Sequence, residues 1–180
     1  LFLRAKTAGA QVRVIHNASI MGGIASCGLQ LYNFGKAVSL CFWTEHWKPN
    51  SWYDRLAQNR SIGAHTLLLL DIKVKERSEE NMMRGRNIFE PPRYMTCAQA
   101  AQQLLTVAED KAKEEGNGGG VACYGPETEV VAMARMGSET QRIVFAKLSE
   151  VAKLDMGAPL HCMVMPGEMH EMEKEFLAQF

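Results

Sequence analysis

TLLLLDI, residues 66–72, places four consecutive leucines between Thr66 and Asp71. A continuous apolar run without polar alternation is typical of a strand that is covered on both faces. Burial of each leucine stabilises a fold by roughly 1.5–3 kcal/mol. We therefore predict a central core strand here, and we expect a second domain to begin just before it, at residue 61.

Predicted strands and helices alternate on both sides of this run. Thr96 and Gln99 form the T-x-x-Q pattern of a capping box, which predicts the start of a helix. We expect this helix to end at Gly116, before the glycine-rich loop 117–120. β-Branched or apolar runs predict further strands at 12–15, 38–43, 130–136, 142–146 and 160–165. The 130–136 and 142–146 runs are close enough to form a hairpin. The alternation predicts an α/β fold with a mixed sheet.

Composition narrows the class of protein. The 180 residues are 47% hydrophobic and 22% charged, with a formal net charge of zero. Balanced charge disfavours a nucleic-acid-binding protein, which usually carries a basic excess. No apolar run approaches the ~18 residues that a membrane helix requires. The five cysteines are scattered without a CxxC pair, which is typical of reduced thiols in a cytoplasmic protein.

The first residues indicate that the chain begins inside a domain. Leu1–Lys6 has the pattern of a helix end that Gly9 could close, and the predicted strand Val12–Ile15 follows at once. A helix followed directly by a strand is half of a βαβ unit. We therefore expect the first domain to be incomplete at its N-terminal side.

The segment HNASI, residues 16–20, is the main candidate for a ligand site. It follows a predicted strand and precedes a glycine-rich segment, and ligands of open α/β sheets bind at such strand ends. The alternative is that Asn17 and Ser19 only cap a helix. Neither a GxGxxG nor a Walker pattern is present, so a dinucleotide or a nucleoside triphosphate is disfavoured.

No other segment has the spacing of a catalytic or metal site. His161 stands alone beside apolar residues, and the remaining histidines show neither i, i+4 pairing nor HExxH, so metal binding is unsupported. No GxSxG elbow or local cysteine signature indicates covalent catalysis. This pattern favours group transfer in which a cofactor supplies the reactive electrophile and the protein positions it.

Residues 73–93 are rich in charge of both signs. Six of them are basic: Lys73, Lys75, Arg77, Arg84, Arg86 and Arg93. Four glutamates lie among them, so a solvated mixed-charge face is one interpretation. A docking surface for an acidic or protein partner is the other.

Several strings together resemble the diphthine synthase family, and its eukaryotic members most closely. The resemblance runs over essentially the whole chain. It is carried by RVIHNASI (13–20), CGLQLYNFG (27–35), FWTEHWKP (42–49), HTLLLLDIKVKE (65–76), GRNIFEPPRYM (85–95) and AAQQLL (100–105). These proteins are S-adenosylmethionine-dependent methyltransferases of the tetrapyrrole-methylase-like fold.

The resemblance implies two α/β domains with S-adenosyl-L-methionine in the groove between them. Residues 1–60 would then hold the C-terminal part of the first domain and the connection, and 61–180 the second domain. The family's glycine-rich first strand and its GDP-type segment have no counterpart in the chain, so we expect a fragment. Cofactor contacts carry over to Ser19, Ile20, Leu70, Met136 and His161; Met136 stands where the family commonly has valine.

The resemblance also implies a substrate and partners. The substrate would be a histidine of translation elongation factor 2 that carries a 3-amino-3-carboxypropyl group, in diphthamide biosynthesis. A cytoplasmic homodimer without a nucleic-acid or membrane partner is expected. Two alternatives remain: another member of the fold, which methylates a corrin precursor or a ribosomal RNA ribose, and a non-catalytic dimerisation or docking module for the elongation factor.

Overall fold

The computed structural model describes residues 1–115 and 122–180. Their main feature is a mixed five-stranded sheet in the order β1-β2-β7-β5-β6. β1 runs parallel to β2, and the other neighbouring pairs are antiparallel. The strands of this sheet are β1 (Val38–Leu40), β2 (Thr66–Leu70), β5 (Glu129–Ala134), β6 (Arg142–Lys147) and β7 (His161–Met165). β3 (Ile72–Lys73) and β4 (Arg93–Tyr94) form a separate two-stranded ribbon.

The four-leucine run forms the core strand that the sequence predicted. β2 lies between β1 and β7, and its side chains alternate between the two faces of the sheet. Leu68 and Leu70 pack into a core on one face, and Leu67 and Leu69 pack into a second core on the other. The sheet is therefore covered on both faces, which explains why the run lacks polar alternation.

Helices cover the two faces. The helices are α1 (Phe2–Thr7), α2 (Ile20–Gly23), α3 (Trp52–Ser61), α4 (Glu79–Met83), α5 (Cys97–Glu115), α6 (Leu148–Val151) and α7 (Glu171–Leu177). The apolar side of α5, with Ala100 and Leu104, packs into the first core. Leu177 of α7 and Ile24, just after α2, pack into the second core.

The predicted capping box of α5 is confirmed. Gln99 N donates to Thr96 Oγ1 at 3.1 Å, and Thr96 N donates to Gln99 Oε1 at 3.0 Å. These two bonds satisfy main-chain donors that would otherwise have no partner in the first turn. The predicted C-terminal end at Gly116 and the loop 117–120 lie outside the described residues.

The predicted strand Val12–Ile15 is wrong. Residues 12–15 have no strand hydrogen bonds, and the side chains of Val14 and Ile15 are 67% and 78% exposed. A β-branched run becomes a strand only where a neighbouring strand completes its ladder. No described strand pairs with this run.

The other predicted strands lie in the sheet, with shorter limits at some ends. The predicted hairpin is confirmed, because β5 and β6 pair directly with Val131 opposite Phe145.

The predicted domain boundary lies between two strands of one sheet. β1 precedes the boundary and β2 follows it, and the two strands pair directly, with Ser39 opposite Leu69. The division into domains at residues 60 and 61 stays a prediction.

None of the described helices has both the length and the apolar character needed to cross a membrane.

Candidate functional site

Ser19 and Ile20 lie where the chain enters α2. Ser19 is the N-cap residue, and its Oγ accepts from Met21 N at 3.2 Å. The capping interpretation of HNASI is thus observed in the structure. The cap bond uses Ser19 Oγ as an acceptor, so its O–H proton can still be donated to a ligand. Capping and ligand binding are therefore compatible at this residue.

Leu70 and His161 lie at the ends of two adjacent strands. In the antiparallel pairing of β2 with β7, Leu69 lies opposite Cys162. The next position in this register brings Leu70 opposite His161. On its other side His161 pairs with Ala134, at the end of β5. The ends of β2 and β5 and the beginning of β7 therefore meet at one edge of the sheet.

Met136 and Ile20 meet beside the same edge. Met136 follows the end of β5 by two residues. A Cβ atom at Gly23 would lie 3.8 Å from Ile20 Cδ1 and 4.0 Å from Met136 Cβ, so both side chains flank this glycine. Both also pack against the second core, whereas Leu70 packs into the first. A ligand at this edge would therefore meet Ile20 and Met136 on one face of the sheet, and Leu70 at the strand end.

The ring of His161 is already engaged. Its Nδ1 accepts from Cys97 N at 3.3 Å, so Nε2 carries the proton. Nε2 lies 3.1 Å from Gly157 O and 3.0 Å from Ala158 O, and it donates to these carbonyls. The ring has no further hydrogen bond to offer without losing one of these. Its role is to join the start of α5 to the loop before β7, and a ligand would meet its main chain or ring face.

Arg135 is a residue of this edge that the sequence reasoning missed. Its guanidinium donates to Met156 O at 2.9 Å and to Ala158 O, in the same loop that His161 holds. Its backbone has a φ of 51°, in the left-handed region that costs a non-glycine residue about 1 kcal/mol or more. The available signal was a single arginine near the end of the otherwise apolar predicted strand 130–136.

The cysteines near this edge are poor nucleophiles. Burial raises the pKa of Cys97 and of Cys162 to about 12, despite hydrogen bonds from main-chain groups that lower the pKa of Cys97. A thiol with such a pKa is almost entirely un-ionised at neutral pH, and the thiolate is the reactive form. Among the described residues, no group of three or more His, Cys, Asp or Glu side chains could hold a metal ion.

Comparisons with known proteins give close relatives. No protein-family model matches the chain. Over 181 residues the chain is 50% identical to the diphthine methyl ester synthase of Eremothecium gossypii, and 51% identical to that of Saccharomyces cerevisiae. Each alignment covers 100% of this chain and 58% of the relative.

A solved structure gives the same result. A crystal structure assigned as a diphthine synthase from Entamoeba histolytica matches with a TM-score of 0.81 at 44% identity. The match covers 99% of this chain and 63% of that protein. The resemblance to diphthine synthases that the motif strings predicted is therefore confirmed.

Proposed function

We propose that this chain forms part of an S-adenosylmethionine-dependent methyltransferase of diphthamide biosynthesis. Its substrate is the 3-amino-3-carboxypropyl-histidine intermediate on translation elongation factor 2. The observation that carries the proposal is the identity of 50–51% over the whole chain with relatives named diphthine methyl ester synthase. The chain spans 58% of their length, so the activity belongs to the whole protein.

The proposed cofactor residues are the five at the sheet edge: Ser19, Ile20, Leu70, Met136 and His161. Three properties of this edge suit S-adenosyl-L-methionine. The Ser19 hydroxyl retains a free proton for a polar atom of the nucleoside, Ile20 and Met136 offer apolar cover, and the strand ends offer main-chain groups. When bound, the cofactor supplies an activated methyl group.

The chemistry of the substrate explains why positioning is sufficient. An amine of the α-amino type has a pKa of about 8, so about a tenth of it is neutral at pH 7. A carboxylate is already ionised at that pH. Neither group needs a strong general base. The residues of this chain therefore act by orienting the two reactants and by excluding water.

The test is methyl transfer by a chimaera. The 180 residues replace the matching segment of the Saccharomyces cerevisiae relative, and the product is incubated with methyl-labelled cofactor and elongation factor 2 that carries the unmethylated intermediate. Label on the factor is the expected result, and its absence would overturn the proposal. Binding of the factor without binding of the cofactor would instead favour a docking module.

A bulky substitution tests the cofactor residues. Ser19→Trp fills the space beside the N-terminus of α2, so we expect cofactor affinity to fall at least about tenfold. Ser61→Trp is the matched control, because Ser61 is exposed and lies at the opposite end of the sheet, before β2 begins. Equal cofactor affinity in the two variants, measured by isothermal titration calorimetry, would contradict the assignment.

The proposal includes a cytoplasmic homodimer. Many soluble enzymes assemble with two-fold symmetry. Sedimentation velocity of the chimaera gives its mass directly. A monomer at micromolar concentration would contradict the dimer without affecting the proposed activity.

A further inference from the structure

An open groove lies outside the five proposed cofactor residues. Its volume is about 360 Å³, within the range of small-molecule sites. Phe42, Trp43 and Lys48 line one side, after the end of β1. Gln99 and Gln103, on α5, line the other side.

A cationic side chain lies over each of the two aromatic rings of the groove. The ammonium of Lys48 lies 5.9 Å from the centre of the Trp43 ring, and the guanidinium of Arg93 lies 5.0 Å from the centre of the Phe42 ring. Trp43 is fixed in place, since its Nε1 donates to Pro49 O at 3.1 Å. Faces of aromatic rings attract cations through the ring quadrupole, and quaternary ammonium groups are bound in this way.

Gln103 adds a buried acceptor that has no partner. Its Nε2 donates to Cys41 O at 3.2 Å, which fixes the amide. Its Oε1 is buried without a hydrogen-bond partner, and the residue is only 9% exposed. A buried acceptor left unpaired is costly. A ligand N–H or a positive charge that reached this oxygen would satisfy it.

The groove borders the proposed cofactor residues on two sides. Phe42 N donates at 2.9 Å to the carboxylate of Asp71, the residue that follows Leu70. On the other side, Cys97 N donates to the ring of His161, and Gln99 follows two residues later on α5. A group bound in the groove would therefore lie next to the edge of the sheet where the cofactor is proposed to bind.

We propose that this groove binds the amino-acid end of the substrate, a zwitterion of an alkylated ammonium and a carboxylate. This inference rests on the proposed function. The Trp43 ring receives the ammonium at each stage of methylation, and Gln103 Oε1 attracts its positive charge. Lys48 leaves the Trp43 ring when the ammonium arrives and binds the carboxylate.

The probe is glycine betaine, which has a trimethylammonium and a carboxylate. Its matched control is 3,3-dimethylbutanoate, which has the same shape and the carboxylate but lacks the positive charge. Binding to the 180-residue chain is followed by NMR through the indole N–H signals of its three tryptophans. Cation–π attraction predicts that betaine binds roughly five- to tenfold more tightly than the control and shifts the Trp43 signal. Equal affinity for the two compounds would overturn the proposal.

Variants test each half of the site. Trp43→Leu should lose the preference for betaine, and Trp47→Leu, at an exposed tryptophan of the same loop, should keep it. Lys48→Met should weaken betaine relative to choline, because it removes the partner of the carboxylate, which choline lacks, and frees the Trp43 ring for either ammonium. Circular dichroism verifies that each variant is folded. Retention of the full preference by a folded Trp43→Leu variant would refute the site.

These measurements involve no methyl transfer, so they are independent of the activity assay. Betaine binding without label transfer by the chimaera would retain the groove and reject the proposed function. Label transfer without selective betaine binding would reject the groove alone.

Discussion

Replacement of Glu173 by glutamine should destabilise the chain strongly. Glu173 is 1% exposed and joins three segments of the chain. Its Oε1 accepts from Gln30 N at 2.7 Å and from His65 Nε2 at 3.2 Å, and its Oε2 accepts from His170 N at 2.7 Å. The His65 ring can donate from Nε2 because its Nδ1 accepts from Gly167 N. All the polar atoms of the carboxylate are therefore used.

The expected loss of unfolding free energy follows from these hydrogen bonds. A glutamine amide at residue 173 can turn its oxygen toward one side only, so its NH₂ group then faces a main-chain N–H. A buried donor left without an acceptor costs about 1–3 kcal/mol, and bonds to a charged acceptor are about twice as strong as bonds to a neutral one. Together these effects lower the free energy of unfolding by about 3 kcal/mol, in line with other broken buried pairs.

Urea unfolding followed by circular dichroism measures this loss. With a slope of about 2 kcal/mol per molar urea, the midpoint should fall by about 1.5 M. Glu175→Gln is the matched control, because Glu175 is exposed on the same helix, and its effect should stay within about 0.5 kcal/mol. A Glu173→Gln midpoint within 0.3 M of the control, roughly 0.6 kcal/mol at this slope, would refute the reasoning.

The pH dependence gives a second measurement on the same residue. Burial alone raises the pKa of the Glu173 carboxyl, but the hydrogen bonds from Gln30, His170 and His65 outweigh it and hold the pKa below its usual 4.5. The stabilisation is therefore complete above pH 4.5 and is lost as the pH falls through the pKa of the folded state. The difference in unfolding free energy between the original chain and Glu173→Gln should shrink over that range. A difference that stays constant down to pH 3 would contradict this.

Three further predictions test other parts of the fold. Thr96→Ala removes one half of the α5 capping box and should lower the unfolding free energy by about 1 kcal/mol in urea; no change would contradict the cap. Arg135→Lys removes the guanidinium that donates to Met156 O and Ala158 O in the loop before β7. It should lower the unfolding free energy in urea by about 2 kcal/mol. Cys97 and Cys162, with a pKa of about 12, should resist iodoacetamide at pH 8 until urea unfolds the chain, as mass spectrometry of labelled peptides would reveal.

The parts of the fold that sequence alone predicted depend on local patterns. The four leucines of β2 and the capping box at Thr96 are such patterns, because residues adjacent in sequence indicate both the buried strand and the helix cap. The hairpin of β5 and β6 followed from a short connection between two apolar runs. Residues 12–15 have an equally strong local pattern, but a strand also requires a partner, which local sequence does not specify.

The candidate site also combines features that local sequence predicts with features that depend on distant parts of the chain. The sequence predicted that Ser19 caps α2 or binds a ligand, and the cap is present in the structure. The adjacency of Leu70 and His161 depends on the register between two strands that are distant in sequence. The contacts of Arg135 and the unpaired Oε1 of Gln103 depend on tertiary packing alone. No spacing rule would have found them.

The position of β7 in the sheet has a consequence for synthesis on the ribosome. Of the described strands β7 is made last, at residues 161–165, yet it lies in the centre of the sheet between β2 and β5. During translation, the inner edges of β2 and β5 therefore stay unpaired until β7 has left the exit tunnel. Unpaired edges promote aggregation. A chain cut short before residue 161 would thus have a sheet split into two halves, β1-β2 and β5-β6, each with an unpaired edge.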